Sequence, residues 1–215
     1  MPVFDGARYL GQCVHSLLAQ EHCAIEIIVV DDGSSDGSAD LAAGFAGVRV
    51  VRRAHEGLAR SRNAGLRAAK GVLIGFCDAD DTWKPEKARV QVAYLDAHPD
   101  CAIVLCRQET IVEPGVSAPG WLLPDQVRGD LDGVSPTSGL FRRDVFERVG
   151  GFRDDMEMGS DFNLLVRART SGLGIALIEQ PLRTRRIHDD NMTTRLGPAM
   201  AEMLRTVRQH HRARS

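Results

Sequence analysis

Val72-Leu73-Ile74-Gly75-Phe76-Cys77-Asp78-Ala79-Asp80-Asp81-Thr82-Trp83-Lys84-Pro85 begins as an apolar run short enough for a buried strand, empties into three carboxylates, and reaches a proline that opens a helical pattern. Open α/β sheets bind ligands at such strand ends. Carboxylates this close repel one another unless a cation holds them, and Mg²⁺ or Mn²⁺ takes oxygen ligands of this kind while keeping positions free for phosphates. The stretch predicts a divalent-metal site for a phosphorylated substrate. An isolated Asp-x-Asp-Asp is more often a solvated turn, so the flanking chain has to decide.

Upstream, residues 7–20 carry Leu10, Val14, Leu17 and Leu18 at helical spacing. Residues 25–30 form a nearly continuous β-branched run of the kind parallel sheets bury on both faces, ending in the turn cluster Asp31-Asp32-Gly33-Ser34-Ser35-Asp36 before a helix through Ala43. A short strand at 48–51 and a helix at 57–69, closed by Lys70-Gly71, lead back to the opening stretch. Downstream come a helix at 85–97, a strand at 101–106, and a proline-bearing irregular region at 107–136, where acceptor choice is expected to lie. A strand at 138–141, helices at 144–149 and 160–171, a short strand at 174–178, a polar stretch at 181–195 and an arginine-bearing helix at 198–211 complete the chain. This alternation predicts an α/β fold, a mostly parallel sheet with helices on both faces.

The 215 residues fit one domain, read as a nucleotide-binding half over about 1–106, an acceptor-side half over about 107–195 and a basic helix over 196–215. Lys and Arg number 27 against 29 Asp and Glu, which argues against a nucleic-acid partner. Five cysteines without a Cys-x-x-Cys pair read as buried, reduced thiols of a cytoplasmic protein. No apolar run approaches the ~20 residues that span a bilayer, so membrane contact is expected only peripherally, at the inner face. The final arginine-bearing helix is most simply a solvated face, and contact with anionic lipid and a homodimer both stay open.

Pro2-Val3-Phe4-Asp5-Gly6, Val30-Asp31-Asp32-Gly33-Ser34-Ser35-Asp36, Arg62-Asn63-Ala64-Gly65, Asp78-Ala79-Asp80-Asp81 with Trp83-Lys84-Pro85, Val149-Gly150-Gly151-Phe152, Asp161 and Arg186-Ile187-His188 with Asn191 together resemble family 2 glycosyltransferases of the GT-A fold. The resemblance implies inverting transfer of a sugar from a nucleoside diphosphate sugar to the hydroxyl of a saccharide, lipid-linked or other acceptor, with Mn²⁺ or Mg²⁺ bridging the diphosphate. It is the resemblance that implies roles by position. Pro2, Phe4, Asp31, Arg62, Asp78 and Ala79 fall where the family binds the nucleotide sugar, with Asp31 and Arg62 at the base and Asp78 toward the ribose. Asp80 and His188 fall at the metal, Asp161 at the general base, and Asp81 is left to a turn or helix cap.

The family places a full apolar strand before its Pro-Val segment, whereas this sequence opens Met1-Pro2, so a sheet without its first strand is expected. Asp5, His55 and Ser160 stand where the family has Asn, Asn and Glu. A second reading is a nucleotide-sugar-binding module without turnover.

Overall fold

The computed structural model describes residues 1–21, 24–117, 135–156 and 159–191. The expected C-terminal helix and much of the expected irregular region lie outside them.

Strands β1 (Pro2–Val3), β2 (Ile27–Asp31) and β3 (Val48–Arg52) form a parallel sheet in the order β1-β2-β3. Every residue of β2 is buried, because helices cover both faces. Val29 packs with Leu10 and Val14 of α1 (Ala7–Leu18) and Ala42 of α2 (Ser38–Ala43), while Ile28 and Val30 pack on Ala64 of α3 (Leu58–Ala68). Successive side chains of a strand point to opposite faces, so this alternation also fixes where the residues beyond Val30 point.

The second sheet has the order β4-β7-β6-β8-β5, with β4 at Leu73–Gly75, β5 at Thr82–Trp83, β6 at Cys101–Val112, β7 at Leu140–Arg142 and β8 at Gly174–Ile187. Only β6 and β8 run parallel; the other pairings are antiparallel. Helices α4 (Lys87–Ala97), α5 (Asp144–Val149) and α6 (Ser160–Thr170) accompany it. Phe76 lies at the centre of the core beneath it, edge-on to Phe141, Phe146 and Phe152 at 5.9, 5.9 and 5.0 Å between ring centroids. Gly75 lets the two outer strands of this sheet, β4 and β5, approach each other, since a Cβ there would stand 2.6 Å from the indole of Trp83.

Three expectations change. Residues 107–112, assigned to an irregular region, continue β6, and residues 181–187, assigned to a polar stretch, continue β8. The two polar halves pair with each other across register shifts at Cys106/Arg107 and Arg107/Gln108, which hides the apolar period of a strand. The first strand is not wholly lacking: Pro2 and Val3 pair with Val30 and Asp31, and the Val30 N–H donates to the Met1 carbonyl at 2.8 Å. Among the described residues no strand joins the two sheets; between β2 and β4 lies a slot of about 90 Å³ lined by Ile28, Arg62, Leu66, Leu73 and Phe76. Cys13, Cys77, Cys101 and Cys106 are free and buried, as expected.

Candidate active site

The exits of β2 and β4, the start of α3, the first turn of α6 and the end of β8 surround one cleft of about 840 Å³. Pro2, Phe4, Arg62, Asp78, Ala79, Asp80, Asp161 and His188, eight of the nine residues expected at the site, line it.

Asp31 is the ninth and does not. Its Oδ1 accepts the Ser34 N–H at 3.3 Å, and the cleft is lined instead by Asp32, one residue on and therefore on the opposite side of the strand. Asp32 is nearly fully occupied: it accepts from the N–H groups of Glu56 and Gly57 at 3.1 and 2.9 Å and from Ser61 Oγ at 2.8 Å, with His55 Nδ1 at 2.9 Å. Gly57 brings its N–H to the carboxylate from a φ of 93°, which favours glycine. The His55 ring lies 4.1 Å from that of Phe4, itself half exposed at the cleft edge. Asp5, beside them, has a φ of 46°, a left-handed conformation that Asp and Asn tolerate best and that is compatible with the residue type found there.

Arg62 crosses the middle of the site. Its side chain is 1% exposed, Nη2 donates to Asp78 Oδ1 at 2.7 Å, and Nη1 donates to Asp161 Oδ1. Burial alone would lift the Asp78 carboxyl, but Arg62 and Arg183 outweigh it and hold the group below the usual carboxylate value. Asp161, in the first turn of α6, ends on the other side: burial above all, with the charge of Asp78 adding, raises its carboxyl despite Arg62. A raised carboxyl is a better proton acceptor than an ordinary one.

Asp80 is lifted by burial and by the neighbouring charge of Asp78. Its Oδ2 takes His188 Nε2 at 3.1 Å and Asn191 Nδ2 at 3.0 Å, and Asn191 Oδ1 accepts the His188 N–H at 2.6 Å. The His188 ring packs on Tyr9, whose hydroxyl donates to Glu113 at 2.9 Å. A carboxylate oxygen and an imidazole nitrogen thus meet at one point beside a second carboxylate, a donor set that suits Mn²⁺ or Mg²⁺ when substrate oxygens and water complete the shell. Among the described residues no cluster of three or more His, Cys, Asp or Glu side chains is found.

Asp81 is not a cap. The residue before α4 is Glu86, without a side-chain cap, whereas Asp81 is buried and accepts from Arg183 Nη2 at 2.8 Å and the Arg186 N–H at 3.0 Å. Burial lifts it to about 7 against the pull of Arg183. Its neighbours explain the arrangement: with Asp81 tied to β8, Asp78 and Asp80 are left facing the cleft.

Asp32, Asn63 and Asn191 are the contributors that the residue-by-residue assignment passed over. Asn63 Nδ2 donates to the Phe152 carbonyl at 2.7 Å and its Oδ1 accepts the Phe152 N–H at 2.9 Å. All three were visible inside quoted motifs, yet only contacts across the fold give them work.

Residues 1–150 match the family described as glycosyl transferase family 2. An uncharacterized glycosyltransferase of Nostoc sp. PCC 7120 is 34% identical over 170 residues, covering 68% of this chain and 50% of that protein. The uncharacterized glycosyltransferase EpsJ of Bacillus subtilis is 27% identical over 227 residues, covering 95% and 65%. The chain thus spans between about half and two thirds of the length of these two curated relatives. Among solved structures, S. aureus TarS 1-349 in complex with UDP-GlcNAc superposes with a TM-score of 0.78 at 17% identity, covering 97% of this chain and 63% of that one. Mannosyltransferase PcManGT from Pyrobaculum calidifontis, in complex with GDP-Man and Mn²⁺, gives 0.76 at 18% identity, covering 98% and 62%. At these identities the likeness shows the fold, which is GT-A.

Proposed function

The chain belongs to glycosyl transferase family 2, and from that premise we propose that it moves a sugar from a nucleoside diphosphate sugar to an acceptor hydroxyl, with inversion at the anomeric carbon. The observation that carries the reading is the convergence of Asp78, Asp80 and Asp161, from two distant segments, on one cleft of about 840 Å³. The structures it resembles hold UDP-GlcNAc in one case and GDP-Man with Mn²⁺ in the other, which supports a donor of that class.

In this reading Phe4, His55 and Asp32 form the base end of the cleft, with Pro2 and Ala79 lining it and Asp78 toward the ribose. Asp80 Oδ2 and His188 Nε2 are the atoms that would hold Mn²⁺ or Mg²⁺. A divalent ion supplies positive charge against the diphosphate as it leaves. The Asp190 N–H donates to His188 Nδ1 at 3.3 Å, which orients the ring with Nε2 toward Asp80.

Asp161 takes the proton of the acceptor hydroxyl while its oxygen bonds to the anomeric carbon. The bond from that carbon to the diphosphate breaks on the opposite face, and its electron pair leaves with the phosphate oxygen. General-base assistance is typically worth ~10²–10⁴-fold, so Asp161→Asn is expected to lose transfer by that order while keeping donor affinity. The acceptor hydroxyl in this reading is that of a saccharide, a lipid-linked molecule or another acceptor. Among the described residues no helix is long and apolar enough to cross a membrane.

The decisive experiment is calorimetric titration of UDP-, GDP- and dTDP-sugars with and without Mn²⁺, on the native chain and on Asp80→Ala. Binding of one donor that needs both the ion and Asp80 supports the reading. No binding of any donor, or binding indifferent to ion and Asp80, overturns it, and binding with no turnover points to the non-catalytic module.

A further inference from the structure

We propose that Arg62 is a positioning residue: from α3 it fixes the Asp161 carboxylate on the acceptor side of the cleft with the same guanidinium that steadies Asp78 on the donor side. Its functional consequence rests on Asp161 as the base. The contact itself does not.

The guanidinium is committed. Nη1 goes to Asp161 and Nη2 to Asp78 at 2.7 Å, Nε has no partner, and the group stands over the Phe152 ring with Cζ 5.4 Å from its centroid. Little of it is presented to a ligand. The next residue holds the same segment a second time, since both amide atoms of Asn63 bond the backbone of Phe152, and Gly151 alone leaves room for them, a Cβ there overlapping Asn63 Oδ1. α3 therefore grips Phe152, Asp154 and Asp161, and of the two contacts that end on a cleft carboxylate the Arg60–Asp154 pair at 3.3 Å is exposed (48% and 57%) whereas Arg62 reaches Asp161 from a side chain 1% exposed.

Arg62 from α3, Asp78 from the exit of β4 and Arg183 from β8 are the charged groups around Asp161. Without Arg62, Asp78 remains and repels it, so the carboxylate loses a cation, keeps an anion and loses its only side-chain hydrogen bond among those described. A nucleotide ligand would behave differently: its loss weakens donor binding and leaves Asp161 undisturbed.

The test is carbon-13 NMR of the metal-free chain labelled at aspartate Cγ, with the Asp161 signal identified by its loss in Asp161→Asn. The signal is titrated with acid in the native chain, Arg62→Lys and Arg62→Gln, and UDP affinity is measured for each. The expected result is a midpoint raised by about one pH unit or more in Arg62→Gln, a tenfold change in proton affinity, partly restored in Arg62→Lys. An unmoved midpoint with lost UDP binding overturns the proposal. If Arg62→Gln does not fold, Arg62→Lys decides alone, because one ammonium cannot fork to two carboxylates: a native midpoint there overturns the proposal as well. Failure of the base assignment shows separately, as sugar transfer surviving in Asp161→Asn.

Discussion

Asp81 and Arg183 form an ion pair at 2.8 Å with side chains 5% and 4% exposed, fastening the exit of β4 to β8 directly behind the cleft carboxylates. Among the described residues Arg183 Nε and Nη1 have no hydrogen-bond partner, so the guanidinium depends on this one carboxylate more than a buried arginine usually does. Removing one member of a buried pair leaves an uncompensated charge and typically costs ~3–5 kcal/mol. At pH 8, above the value of about 7 to which burial lifts Asp81, urea denaturation is expected to show that loss in Asp81→Ala. The double variant Asp81→Ala/Arg183→Met is expected to lose less than the two singles combined. A single-variant loss under about 1 kcal/mol, the range of an exposed pair, would contradict the burial.

Lys87 predicts a pH dependence. Its side chain is fully buried, Nζ donates to Gln91 Oε1 at 2.5 Å and lies 3.9 Å from the centroid of the Trp83 ring, and burial lowers its pKa from 10.5 to about 8. Between those two values the unfolded chain holds a proton that the folded chain has released, so this group makes stability rise with pH across that window. The full rise is of the order of 3 kcal/mol from the linkage of pKa to free energy. Lys87→Met is expected to abolish it, read as a smaller difference between urea midpoints at pH 7.5 and pH 10 than in the native chain. Equal differences in the two proteins would refute it.

Asn191 predicts a metal effect without touching the metal. It bonds Asp80 Oδ2 and the backbone of His188 together, and partners that orient ligands are typically worth ~10–100-fold in affinity. Asn191→Ala is expected to weaken Mn²⁺ binding by that order in a UDP-saturated calorimetric titration, with an unchanged melting temperature. Native affinity for Mn²⁺ would remove Asn191 from the site.

Gly75→Ala tests the closure of β4 on β5. The added methyl would stand 2.6 Å from the Trp83 indole, closer than a Cβ contact allows. Overpacking of this kind costs ~1–3 kcal/mol. The expected result is that loss, accompanied by altered tryptophan fluorescence; a native spectrum and native stability would show that the indole moves freely.

The apolar signals were the readable part of the fold. β2 and α1 announce themselves because Val29 is buried against Leu10 and Val14 and Ile27 against Leu17, so their periods follow their packing. The second halves of β6 and β8 are silent because polar residues, Gln108, Thr110 and Arg183, occupy their buried positions, and such a ladder has no hydrophobic period. At the site, residue type and order identify Asp78, Asp80, Asp161 and His188 as candidates. The resemblance places Asp31 at the base, whereas the alternation of β2 brings Asp32 to the cleft: Ile28 and Val30 face α3, and so does Asp32, which Ser61 of that helix bonds. The Arg183 partner of Asp81 lies about a hundred positions away, and no local pattern carries such a pairing.

The separation between the two sheets has a consequence for cooperativity. Backbone ladders couple β6 to β8 over eleven paired residues, but none among the described residues couples β2 to β4, where the connection passes through α3 and its side chains. Such a molecule holds two partly independent opening units. Amide protons of β1 to β3 are expected to exchange through a lower-energy fluctuation than those of β6 and β8, with α3 and α1, whose Ser16 and Leu17 meet Trp83 of β5, acting as the coupling between them. Asp32, lining the cleft from the exit of β2, then belongs to the looser unit and Asp161 to the firmer one.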